Sequence, residues 1–332
     1  MPQAPPPPPD AIRDAARRRS EARAARNWPA ADALREEIEA AGWRVIDAGT
    51  DYRLEPVHPT DVEVGGEIRY GRSDAVPSRL DDPATGVASV VMVVEPNDPA
   101  AIDAVTAASR HLPDGTDLVV VGDRIGDALA GGLRDALAAS PLDAPRFEMV
   151  RTSAPLGRAT ALNIGIRRSQ APIVVTLDTS IQPTGDVVGP LVTVLDDPAV
   201  AVAGPFGLVS SDLRRFEELA PTGGRAIDVA AVEGYLMAFR RTDAAARGPL
   251  DEGFRFYRNL DIWWSLVLRD EGEGESPRRA VAVPDVPLLR REPWAWTSTR
   301  ESERDRLSKR NFYRLLDRFR SRLDLAVSGP DR

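Results

Sequence analysis

The chain has 332 residues, 42% hydrophobic and 28% charged, enough for one large or two moderate soluble domains with a full core. It carries 43 Lys+Arg against 51 Asp+Glu, a formal charge of −8, so bulk electrostatics give no drive towards nucleic acid or anionic lipid. With no cysteine and only two histidines, His58 and His111, it excludes disulfides, thiolate metal sites, cysteine nucleophiles and multi-histidine cages.

Residues 1–10, MPQAPPPPPD, read as an extended, disordered, proline-rich lead without the apolar core of a signal peptide. No apolar run approaches the ~20 residues that span a bilayer, and the expected location is the cytoplasm. Residues 11–55 read as a helical hairpin broken at Trp28–Pro29, with Ala31, Leu34, Ile38 and Ala41 as a helical stripe. Gly42 closes the second helix, and WRVIDAGTDYRLEP follows as a short strand pair. Residues 56–86 are rich in Pro, Gly and Asp and read as a linker or wrapping arm, with EIRYGR as a strand inside it.

From residue 87 the texture changes. Strands are expected at 87–95, 117–123, 147–152 and 172–178, with helices at 99–110, 127–139 and 159–169 between them. Continuous apolar strands alternating with helices predict an α/β fold: a mostly parallel, Rossmann-like sheet with helices on both faces. Ligands of such sheets bind beyond the carboxyl ends of the strands, where Glu95, Asp123 and Asp178 fall. Further strands are expected at 201–209 and 228–241, and helices at 259–270 and 301–323. The last helix carries Phe312, Leu315, Leu316, Phe319 and Leu323 on one face. Residues 290–320 hold twice as many basic as acidic side chains, so 291–332 forms a basic C-terminal loop and amphipathic helix.

Three stretches carry a resemblance. LGRATALNIGIRRSQAPIVVTLDTSIQPTGD resembles the central signature of family 2 glycosyltransferases of the GT-A fold: a Gly-Lys/Arg-Ala stretch, an Asn-x-Gly helix, then a strand bearing Asp-x-Asp. VEGYLMAFRR resembles the family's acceptor-side strand, and PLDEGFRFYRNLDIWWSLVLRDEG its Asp-Glu-x-Phe segment. The resemblance spans about 87–320 and implies a GT-A domain over 87–290. It also implies inverting transfer of a sugar from a nucleotide-sugar donor to an acceptor hydroxyl of unidentified class: glycan, lipid-linked or small molecule.

Carried over residue by residue, the resemblance assigns Glu95, Asp123, Arg158, Asn163 and Asp178 to the donor, with Arg290 and Arg291 over its diphosphate. Glu233, Gly234 and Trp263 are assigned to the acceptor, and Asp261, with Glu252 and Asp251 behind it, to the base. In the family the acid pair holds a divalent metal, and Mg²⁺ or Mn²⁺ suits such oxygen ligands. Asp178 is the metal candidate, but Ser180 replaces the second acid, and a neutral hydroxyl is a poor substitute for a carboxylate. Arg258 and Asn259 stand at the family's Glu-Asp pair, and a histidine expected near LLRREPWAW is absent. Two readings stay open: a transferase with a remodelled site, or a protein that binds a nucleotide sugar, or acts as a scaffold, without turnover.

The front of the chain, RRRSEARAARNWPAADALREEIEAAGWRVIDAGTDYRLEP, is similar to the C-terminal end of cysteinyl-tRNA synthetase over about 18–56. That implies a hairpin reused for packing or an RNA-associated accessory role; with the acidic balance, packing is preferred to nucleic acid. The basic C-terminal helix is a candidate for peripheral membrane contact.

Overall fold

A computed structural model describes residues 7–48, 51–139, 147–219 and 224–329. Residues 1–6 of the expected lead lie outside the described residues. Two compact units result, Met1–Ala75 and Val76–Arg332.

The first unit opens with α1 (Asp10–Ala24), so the helix begins inside the stretch expected to be lead. It pairs with α2 (Trp28–Ala40), whose start is set by Asn27: its side-chain oxygen accepts from Ala30 N at 3.3 Å. Pro29 sits in the first turn, where a missing N–H is harmless. β1 (Trp43–Ala48) and β2 (Asp51–Pro56) are antiparallel, with Trp43 opposite Pro56. Ile12, Ala15, Ala16, Leu34, Ile38 and Trp43 make its core. The expected arm contains a hairpin, β3 (Val62–Val64) and β4 (Glu67–Tyr70), turned through Gly65 and Gly66 at positive φ.

The second unit is built on β5 (Ala88–Val94), α3 (Ala101–His111), β6 (Thr116–Gly122), α4 (Asp127–Ala138), β7 (Phe147–Thr152), α5 (Arg158–Arg168) and β8 (Ile173–Leu177). These four strands are parallel in the order β8-β5-β6-β7. Then come β9 (Ile181–Pro183), α6 (Gly189–Leu195), β10 (Val200–Gly204), β11 (Gly207–Val209), β12 (Glu217–Leu219), β13 (Ile227–Val229), β14 (Ala231–Val232) and β15 (Leu236–Arg240). α7 (Arg241–Arg247), α8 (Leu260–Arg269), β16 (Arg279–Ala282), β17 (Leu288–Arg290), α9 (Trp294–Ser298) and α10 (Glu301–Phe319) complete it.

β15 joins the sheet antiparallel between β8 and β10, and β16 lies parallel to β10 beyond it. Alternation across the pleat assigns the two faces. Val90, Met92 and Val94 pack with Val105, Leu133 and Leu191 of α3, α4 and α6. Val91 points the other way, against Gly165 of α5, where a Cβ would overlap it.

Two expected strands are each divided. The run 201–209 breaks between β10 and β11 at Pro205, which has no N–H for the ladder. The run 228–241 breaks at Ala230, where β13 of the large sheet gives way to β14 of a small sheet ordered β12-β11-β14, and again at Glu233–Gly234, after which β15 enters the large one. α10 turns Leu315 and Phe319 of its apolar stripe into the core, while Phe312 and Leu316 are half-buried and Leu323 is exposed.

Candidate active site

Three carboxylates stand at the ends of parallel strands, and each has a distinct environment. Asp123, after β6, is buried, and its carboxylate is filled by the loop that enters α5. It accepts from Thr152 Oγ1 at 2.9 Å, Leu156 N at 2.8 Å and Gly157 N at 3.0 Å. Gly157 has φ +93°, and a Cβ there would stand 2.8 Å from Arg255 Cα, so only glycine fits this approach. Asp123 thus fixes the loop that starts α5 at Arg158.

Arg158 reaches the next strand end. Its Nη2 donates to Asp178 Oδ2 at 2.7 Å, with both side chains largely buried. Asp178 Oδ1 accepts from Ser180 N at 2.9 Å and from Ser180 Oγ at 2.6 Å. Thr179, between them, donates its hydroxyl to buried Asp98 at 2.5 Å. Asp178 is therefore both a turn-former and one half of an ion pair. Glu95, after β5, has its carboxyl pushed up to about 7 by burial, against the pull of Arg158.

A second cluster shares with Arg158 and Asp178 a cavity of about 570 Å³, whose walls also include Glu233, Gly234, Tyr235, Arg258, Asp261 and Lys309, while Glu95, Asp123, Arg290 and Arg291 are not among its lining residues. Asp261, in the first turn of α8, accepts from Gly234 N at 2.8 Å through Oδ2 and from Ile262 N at 2.9 Å through Oδ1. Burial raises its pKa against those N–H donors. The bond to Gly234 bends the chain between β14 and β15 and sets Glu233 beside the cavity. Burial, together with Asp261 and Glu218, raises the Glu233 carboxyl to about 7. Arg290 opposes that rise: its Nη1 is 3.4 Å from Glu233 Oε2, and its guanidinium lies over the rings of Phe206 and Tyr235 at 4.7 and 4.9 Å. β17 pairs with β9, and Arg291 N donates to Ser180 O at 2.9 Å, so the arginine-rich strand is anchored to the Asp178 turn.

Other candidates lie elsewhere. Asn163 is a clip: Nδ2 donates to Leu250 O and Glu252 Oε1 at 2.9 and 3.0 Å, and Oδ1 accepts from Leu250 N at 2.9 Å. Asp251 is paired with Arg314 at 2.6 Å and accepts from Gly253 N. Asn163 and Glu252 hold the 250–253 loop on α5 and Asp251 ties it to α10, and none of the three lines the cavity. Trp263 packs on Phe254 and Trp264, with Arg318 over its ring, and is turned from the cavity; its neighbour Trp264 lines it. Asn259 is left-handed at φ +66° and donates to Ser308 O at 3.2 Å, which explains an amide there in place of an acid. Of the other lining residues, Tyr235 and Arg258 sit inside the quoted stretches without an assigned role, while Arg214 and Lys309 had no motif to announce them, although Lys309 is the only lysine in the chain.

Mg²⁺ or Mn²⁺, possible on the resemblance but already in doubt from Ser180, finds a poor donor set here. One Asp178 oxygen faces a guanidinium and the other an N–H and a hydroxyl, while the place of a second acid is held by Ser180. Among the described residues no group of three His, Asp or Glu side chains is disposed to hold an ion.

Residues 94–243 match the family model described as Glycosyl transferase family 2. Among solved structures, the crystal structure of GalNAc-T7 with UDP, GalNAc and Mn²⁺ aligns at TM-score 0.56 and 14% identity, over 71% of this chain and 48% of that one. This chain therefore spans about half the length of that structure. The mannosyltransferase PcManGT from Pyrobaculum calidifontis, in complex with GDP-Man and Mn²⁺, aligns at TM-score 0.52 and 19% identity, over 75% of this chain and 70% of that one. No curated protein matches the sequence. The likeness to the two structures shows the GT-A fold, and the family match together with that fold supports a glycosyltransferase. The resemblance of residues 18–56 to cysteinyl-tRNA synthetase is not shown by these comparisons.

Proposed function

We propose that the chain transfers a sugar from a nucleotide-sugar donor to an acceptor hydroxyl, with inversion and without a resident metal. The observation that carries this reading is that the Arg158–Asp178 pair and the Glu233–Asp261 cluster line one cavity at the strand ends. In a single displacement the acceptor oxygen bonds to the anomeric carbon as the bond to the diphosphate oxygen breaks. The proton passes to a carboxylate and the electron pair leaves with the diphosphate.

Glu233 suits the role of base better than Asp261. Both Asp261 oxygens are held by backbone N–H groups, whereas Glu233 has a long contact to Arg290 and a pKa near neutrality. Guanidinium and ammonium groups on the cavity wall, Arg158, Arg258 and Lys309, supply the positive charge that the leaving diphosphate needs. Asp178 keeps Arg158 aimed.

Calorimetric titration with UDP, GDP and dTDP sugars, each in EDTA and in Mn²⁺, tests this. Micromolar binding that is unchanged by EDTA and lost in Arg158→Met is expected. Binding that appears only with Mn²⁺ would return the site to the metal-dependent type. Binding without transfer or hydrolysis would make the chain a donor-binding protein.

A further inference from the structure

The cavity does not end at the polar mouth. Its lining extends to Leu162 and Ile166 of α5, Met237 and Phe239 of β15, and Leu260 and Trp264 of α8, an apolar part, the shaft. The strand register accounts for it. Tyr235, Met237 and Phe239 alternate onto one face, and Met237 lies opposite Thr176, two residues before Asp178 on β8. From Tyr235 at the mouth to Phe239 at the floor, four strand residues cover about 13 Å. The exposed ends of Arg214, Glu218, Arg258 and Lys309 surround the opening, so charge is confined to the top.

Two polar atoms on lining side chains are buried without a partner, the indole Nε1 of Trp264 and the hydroxyl of Ser308. Such orphans are rare in a finished core, and an occupant carrying an oxygen beside its apolar body would satisfy them. The donor's diphosphate and sugar belong at the charged mouth, since the apolar walls of the shaft offer a single unpaired N–H, that of Trp264, and no charge.

Resting on the transferase reading, we propose that this shaft is the acceptor subsite and that it takes an amphiphilic alcohol, a hydroxyl-bearing head on an extended apolar body. The hydroxyl stays at the mouth between Glu233 and the donor, and the apolar body occupies the shaft. Acyl or isoprenoid chains and aryl groups share this chemistry.

The test uses the full chain and a series of β-glucosides with butyl to octyl chains, below their micellar concentrations, beside phenyl β-glucoside and free glucose. Binding is followed by tryptophan fluorescence. The dissociation constant is expected to fall about fourfold for each added methylene until the shaft is full, with glucose silent. A phenyl glucoside tighter than the octyl one would favour an aryl body over a chain. A flat series from butyl to octyl overturns the proposal. So does an equally steep series in Leu162→Trp, a variant that plugs the shaft and whose folding is checked by its melting curve. Should Leu162→Trp fail to fold, Ile166→Phe serves as the plug, and should both fail, the wild-type series decides alone. Nucleotide titration of the same samples separates the failures. Nucleotide binding with a flat series leaves the transferase reading intact, and a steep series without nucleotide binding sinks that reading while keeping the apolar site.

Discussion

Arg158 and Asp178 lie 20 residues apart in sequence and 2.7 Å apart in space, inside a wall where neither is well solvated. Removing one partner of such a pair leaves an uncompensated charge, which costs more than the pair itself contributes. Arg158→Met is therefore expected to lower stability by about 3–5 kcal/mol, while Arg158→Lys retains the charge and much of the stability. Urea denaturation of the two variants checks it, and equal losses would show that packing, not charge, is what the guanidinium supplies. The strand-end acids were legible in the sequence because an apolar run that stops on a carboxylate marks the carboxyl end of a buried strand. Their partners were not legible. Nothing local couples Asp123 to the amides of Leu156 and Gly157, or Asp178 to Arg158, since both contacts arise only when α5 is laid beside the sheet.

At the scale of elements, the parallel strands follow from continuous Val-rich runs that only a sheet covered on both faces can bury. Helix faces are harder to read. α8, LDIWWSLVLR, is buried on nearly every side, and its polar stripe of Asp261, Ser265 and Arg269 does not separate Trp264 at the cavity from Trp263 in the packing behind it. Asn163 and Gly165 of α5 share this difficulty: both sit in the motif, but one clips a loop and the other admits the sheet. Gly165 is the sharper case because a Cβ there meets the branched side chain of Val91 on a rigid strand. Gly165→Ala should destabilise the second unit by about 1–3 kcal/mol through overpacking, despite alanine's better helix propensity. A thermal melt reads the sign. A raised melting temperature would mean that α5 and β5 separate easily and that helix propensity wins.

For the whole molecule, pH acts on stability and on the proposed chemistry in opposite directions. Glu95 and Glu233 hold their protons to about 7 in the folded chain, through burial, against an ordinary value of 4.5. Between those values the folded state binds more protons than the unfolded one, so stability falls as pH rises through that window. Asp47 and Asp324 lie on the other side. Hydrogen bonds from Arg19 and Arg322 hold their carboxyls below the ordinary value, so their contribution is present above about pH 4 and lost as pH falls below it. The melting temperature should therefore peak at about pH 4–4.5, where these two trends cross, and decline towards pH 8. Turnover with Glu233 as base should instead rise through pH 7, as that carboxyl loses its proton. Glu233→Gln joins the two. It removes the base and should lower kcat by roughly 10²–10⁴-fold. It also removes a carboxylate that burial and its acidic neighbours disfavour, so the variant should melt higher than wild type at pH 8 and match it below the ordinary glutamate value. A variant that loses turnover and gains stability only at high pH assigns the proton to Glu233. If kcat survives while the stability gain appears, Glu233 is a strained bystander and the base must be sought at Asp261.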